Sequence, residues 1–157
     1  MNPHIPAEWA LDREIVLTRV FDSPSDRVFA AWTDGDAMGA WFGPDDYRCV
    51  VHGMNVHEGG RSTFDLIASD GTLFTNRMDY LRVVPGRVLV YDHGSDIDDD
   101  PSGFRVTVTF DQQSDGKTVL TMRQLHPTAE RRDAIVGFGA VELGFQTLAK
   151  LDAYLRQ

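Results

Sequence analysis

The chain has 157 residues, with 15 Lys and Arg against 24 Asp and Glu for a formal net charge of −9, and a single cysteine, Cys49. This length suits one domain with an ordinary buried core. The negative field disfavours nucleic acid and anionic membrane surfaces, and one cysteine excludes both an intrachain disulfide and a cysteine-based zinc site. No apolar run approaches a membrane span, and the first residues lack the basic and apolar regions of a secretory signal. The expectation is a cytoplasmic protein with neither a nucleic-acid nor a membrane partner.

In residues 1–12, Pro3 and Pro6 interrupt a segment without a period, which predicts an irregular arm. Its Trp9 and Leu11 fold back onto the body or onto a second subunit, and a homodimer is expected on that ground alone. Residues 13–21 alternate apolar and polar side chains, as a strand does. Ser23, Pro24 and Asp26 then have the spacing of a capping box, with Val28, Phe29 and Trp32 following at helical steps. Thr33-Asp34-Gly35 breaks that helix, and Asp34 is placed to cap a second short one ending near Trp41. Six strands are predicted next, at 47–53, 61–68, 72–84, 87–94, 103–111 and 117–125. The turn signals between them are Gly59-Gly60, Asp70-Gly71, Pro85-Gly86, the acidic loop 95–102 and Asp115-Gly116. Such short connections favour antiparallel hairpins.

Pro127-Thr128 opens a helical stretch predicted to run to about Arg156. Phe138, Val141, Phe145, Leu148, Leu151 and Leu155 recur along it at three- and four-residue steps. Its glycines, Gly137, Gly139 and Gly144, each cost a helix about 1 kcal/mol, so close packing or space beside a cavity must account for them. The predicted architecture is α+β: residues 13–157 form one domain, a curved seven-stranded antiparallel sheet wrapped around a long C-terminal helix, with two short helices after the first strand.

Motifs of catalysis are missing. There is no Gly-x-Ser-x-Gly, no P-loop or dinucleotide fingerprint, and no histidine pair at metal-ligand spacing. Neither a catalytic residue nor a metal or cofactor is therefore assigned. Cys49, inside a strand, reads as a small buried hydrophobe, and the acidic loop lacks the order of an EF-hand. Trp41 and Phe42 either rim a ligand mouth or plug the corner between the short helices and the sheet. Glu142, on nearly the same helix face as Phe138 and Phe145, either turns outward or is paired inside, with Arg123 or a histidine as partner. His93 follows Tyr91 by two, as a polar handle in a cavity or as an ordinary strand-end pair.

Four stretches carry a family likeness: "RVFDSPSDRVFAAWTD" (19–34), "WFGP" (41–44), "EGGRSTF" (58–64) and "YLRVVPGRVLV" (80–90). Together they resemble the helix-grip (START-like) superfamily and, within it, the family related to the C-terminal domain of the Hsp90 ATPase activator. The chain departs from that pattern at Asn55, His57, Met78, Arg82 and Gly144-Phe145. The resemblance implies a cavity between sheet and long helix, in a superfamily that includes lipid and hormone binders, aromatic cyclases and co-chaperones; fold alone does not choose among them. The leading expectation is non-catalytic binding of a small apolar or aromatic ligand. Trp41, Phe64, Leu66, Met78, Tyr80, Tyr91, Phe138 and Phe145 are its expected wall, and Glu142 and Arg123 its polar handles. The alternatives are a co-chaperone acting by protein contact, and a cyclase or hydrolase using His93, His57 or Glu142.

Overall fold

Alternating patterns become seven strands in the computed structural model, which describes residues 11–157. The strands are β1 (Glu14–Phe21), β2 (Tyr47–Met54), β3 (Arg61–Ala68), β4 (Leu73–Val84), β5 (Val88–Gly94), β6 (Phe104–Gln112) and β7 (Thr118–Leu125). Helices α1 (Ser25–Thr33) and α2 (Gly35–Trp41) follow β1, and α3 (Ala129–Gly137) and α4 (Ala140–Leu155) follow β7. All pairings are antiparallel, in the order β1-β7-β6-β5-β4-β3-β2. The expected α+β helix-grip architecture is therefore present. The arm was expected at 1–12; residues 1–10, Trp9 among them, lie outside the described residues, and Leu11–Arg13 form a 3-10 turn.

Period-two alternation decides the faces. Leu17, Phe64, Met78, Tyr91, Val108 and Leu120 point inward and are buried, whereas Val16 and Val20 point outward and are about half exposed. Helix α4 lies on the inner face through Leu148 and Leu151, both fully buried. Gly144 explains itself here: a Cβ at that position would sit 2.3 Å from Leu17 Cδ1, so the glycine lets α4 approach β1. No single helix among the described residues is long and apolar enough to cross a membrane.

Two local expectations are corrected. The capping box does not form: Pro24 is the N-cap of α1, and Ser25 donates from its N–H and hydroxyl to Gln112 Oε1 at 2.9 and 3.0 Å. A side chain from the end of β6 thus caps the helix, with proline fixing its start. The C-terminal stretch is also not one helix. Gly139 takes φ +90°, in the left-handed region open to glycine, and α3 and α4 meet there with a bend of 68°. Thr128 caps α3 by accepting the Arg131 N–H.

Candidate functional site

The expected walls of a sheet–helix cavity divide by accessibility. Trp41, Phe64, Met78, Tyr80 and Tyr91 lie inside, but each retains 2% or less of its accessible surface. A side chain facing a water-sized void would keep more, so neighbouring side chains fill this part of the concave face. Trp41 belongs to the packing corner. Its indole N–H donates to the Ala31 carbonyl at 2.9 Å. Its ring meets Trp32 and Phe42 edge-on at 4.9 and 5.4 Å, and Phe42 meets Phe64 at 5.3 Å. Tyr80 satisfies its hydroxyl against Ser62 Oγ at 2.8 Å, and Leu66 packs half-buried at the edge of the core.

Four expected site residues lie elsewhere. Arg123 alternates with the buried Leu120 and Met122, so it points to the opposite face of the sheet, where it pairs with Glu14. Glu142 is exposed on the first turn of α4. Phe138, left at the helix break, is 84% exposed, and Phe145 is 42% exposed. The bend at Gly139 takes Phe138 off the line of α4, whereas Phe145 lies within α4 beside the face that carries the buried Leu148 and Leu151. Neither expected polar handle therefore stands between sheet and helix.

The accessible site is instead an open cleft of about 790 Å³ where β5 turns into β6. A row of rings, His93, Phe104 and His126, lines it together with charged side chains of β3–β6 and the 95–100 loop. His93 and Phe104 lie 5.1 Å apart, and Phe104 stacks on His126 at 4.8 Å with 29° between planes. His93 also neighbours Phe64 and Phe42 at 5.8 and 6.3 Å, which joins the row to the packed corner. Its Nε2 bonds Asn76 Oδ1 at 2.9 Å, and burial lowers its pKa to about 4, against a small opposing pull from Asp100.

His126 is the covered inner member of the row, only 1% exposed, and among the described residues neither ring nitrogen has a hydrogen-bond partner. Its pKa is likewise lowered to about 4, by burial first and then by the positive charges of Arg131 and Arg132. Nothing in the sequence around "QLHPT" signals this environment, because Phe104 comes from a distant strand. His93, by contrast, is legible through its two-residue step from Tyr91.

Ion pairs occupy most of the charged lining. Arg61 pairs with Asp79 and Arg105 with Asp92, while Arg77 reaches Asp96 at 3.0 Å and Asp98 at 2.8 Å. The acidic loop is thus clamped by Arg77. It is folded further by Asp100, whose carboxylate accepts the Ser95 and Ser102 N–H groups and is held below its ordinary pKa by those bonds.

The residues considered for acid–base chemistry do not converge. His57 is exposed and bonds the Glu58 carbonyl oxygen, and no hydrogen bond links it to His93 or Glu142. His52 is tied to Asp65 at 2.7 Å. Half-buried Cys49 has its thiol pKa pushed up to about 11 by burial, with Lys150 opposing, which keeps it protonated and unreactive. Among the described residues no cluster of metal-ligating side chains is present.

Known proteins share this fold. The family model described as activator of Hsp90 ATPase homolog 1-like protein matches residues 22–156. No curated protein matches the chain. A solved structure from Chromobacterium violaceum is 27% identical, covers 89% of this chain and 95% of its own, and superposes with a TM-score of 0.77. One from Staphylococcus epidermidis is 24% identical over 96% and 94%, with a TM-score of 0.83. One from Arthrobacter aurescens, 19% identical over 92% and 87%, reaches 0.85. The last two share the fold.

Proposed function

The chain belongs to the family of activator of Hsp90 ATPase homolog 1-like proteins, and from that premise we propose that it binds a small apolar or aromatic ligand without catalysing a reaction. The observation that carries this reading is the ring row His93–Phe104–His126 bordering a cleft of about 790 Å³. A cleft of that volume is in the range that holds small molecules. The deep concave face does not serve, because Trp41, Met78 and Tyr91 leave no room there. Flat rings favour a flat apolar partner, whose burial supplies affinity while His93, itself held by Asn76, orients it. Catalysis is the weaker reading, since among the described residues no nucleophile–base pair stands at the cleft.

Native and denaturing mass spectra of protein purified without detergent test this proposal. The expected result is a reproducible small-molecule mass in the native spectrum that disappears on denaturation and is depleted in Phe104→Ala. A clean apo mass, together with no uptake of aromatic probes, overturns it.

A second reading, contact with a chaperone, draws on Val136, Phe138, Leu143 and Phe145, all exposed along α3 and α4. It predicts that the chain alters the ATPase rate of a cognate Hsp90 and that Phe138→Asp abolishes the change. An unaltered rate removes it.

A further inference from the structure

We propose that β1 is the interface of a homodimer, in which two copies pair their β1 edges antiparallel about a two-fold axis at Thr18. β1 ends the seven-stranded sheet and has β7 on one side only. The Arg13 carbonyl accepts the His126 N–H at 2.9 Å, so Arg13 turns its backbone groups toward the β7 side. Backbone groups alternate in direction along an antiparallel strand. Ile15, Leu17, Arg19 and Phe21 therefore bond β7, whereas Val16, Thr18 and Val20 aim their N–H and carbonyl groups out of the sheet. Among the described residues nothing bonds those outward groups. The same three side chains stand on the outer face, with Val16 51% and Val20 53% exposed and Thr18 exposed between them.

Open edges invite pairing with another chain, so folds ordinarily blunt them. The opposite edge of this sheet follows that rule. β2 is broken by a register shift between Val51 and Gly53. Helix α2 also packs close against it: a Cβ on Gly39 would lie 3.6 Å from the Cys49 carbonyl oxygen. In β1 the register with β7 runs unbroken from Glu14 to Phe21, and the strand contains neither proline nor lysine. Its Arg19 lies on the inner face and is paired with Asp152 at 3.4 Å.

A second copy fits this edge because the outward residues, Val16, Thr18 and Val20, read the same in both directions. Residues directly opposite in an antiparallel pair share a face. Across the axis Thr18 therefore meets Thr18 and Val16 meets Val20, each pair exchanging two backbone hydrogen bonds. No charge opposes another among these residues, although the whole chain carries −9. Phe145 adds apolar cover beside the edge. It stands two turns before Asp152 on α4, on the side that reaches Arg19, and is 42% exposed.

Sedimentation of the full chain from about 1 to 100 μM, the range of modest interfaces, tests the proposal. The expected result is a reversible monomer–dimer equilibrium. Thr18→Pro deletes the N–H at the axis and spares every bond to β7. It is expected to weaken the dimer about thirtyfold, the scale of one hydrogen bond lost from each subunit. Val16→Lys sets a charge on the edge and is expected to weaken it about tenfold or more. Thr109→Lys, on the same outer face but inside the sheet, leaves the dimer intact.

Amide hydrogen exchange reads the interface directly. Protection at Val16, Thr18 and Val20 should rise with protein concentration, while Ile15, Leu17 and Arg19 stay protected throughout. A chain that remains monomeric overturns the proposal and leaves the edge to a strand from another protein. A dimer that survives both edge variants, or forms without new protection at those three amides, also overturns it, because another face then joins the copies. If Thr18→Pro fails to fold, Val16→Lys and the wild-type exchange pattern decide.

Discussion

Trp41→Ala is expected to lower the stability of the protein by about 4 kcal/mol, the range for deleting a large buried aromatic side chain. Trp41 has no exposed surface, meets Trp32 and Phe42 in edge-on contacts, and places its indole N–H on the Ala31 carbonyl. Alanine loses the ring burial and leaves a void that α1, α2 and the sheet cannot all close upon. Trp41→Phe keeps much of the apolar area and loses only the hydrogen bond, so it should cost roughly half as much. Urea unfolding midpoints, with an unchanged denaturant slope, measure both. A loss below about 1 kcal/mol for the alanine variant would show a rim side chain with little packing role, contrary to the corner seen here.

Acidification between about pH 6.5 and 4 should destabilise the fold through His93 and His126. Both imidazoles are kept neutral in the folded protein, with pKa values near 4, while the unfolded chain protonates near 6.5. Over that interval the unfolded state binds more protons, so stability falls as pH falls; below about 4 both states are protonated and the contribution is gone. Each histidine accounts for up to about 3 kcal/mol across the window, at about 1.4 kcal/mol per pH unit. Asp100 has a different range, because its pKa is depressed from 3.8 and its stabilisation fades only at lower pH. Unfolding curves collected from pH 7.5 to 4.5 should show the slope in the wild type and about half of it in His93→Phe. A wild-type midpoint that stays level across this interval would contradict the neutral, buried state of both rings.

The sheet was legible because its signal is local. In β3, Phe64 and Leu66 alternate with Thr63 and Asp65 between glycine and aspartate turns, and the strand spans the residues that pattern predicts. The same logic, applied strictly to "TVLTMRQL", places Arg123 opposite Leu120 and Met122, outside the core; its expected role as a handle went against its own strand parity. The helix break was harder to see. Phe138, Val141 and Phe145 keep helical spacing straight across Gly139, and periodicity alone does not report the sign of one φ angle.

Gln112 capping α1, Arg77 clamping the acidic loop and Phe104 stacking on His126 are contacts between distant segments. Each becomes apparent only once the topology is known. Of the candidate cleft, His93 was legible from its two-residue step after Tyr91, but Phe104, the second histidine and the filled interior were not.

One feature of the sheet bears on how the chain reaches this structure. Strands β2 to β7 each pair with a neighbour in sequence, but β1 pairs with β7, Glu14 opposite Leu125 and Phe21 opposite Thr118. During synthesis β1 is made before the other six strands, yet its partner is the last of those six to emerge. Closing so long a loop contributes late and slows folding. Until residue 125 has left the ribosome, Ile15, Leu17 and Phe21 have no sheet to enter, and α1 waits for Gln112 to complete its first turn. The oldest strand in the nascent chain is the last to find its place, and it is the stretch most in need of shelter while the rest is being made.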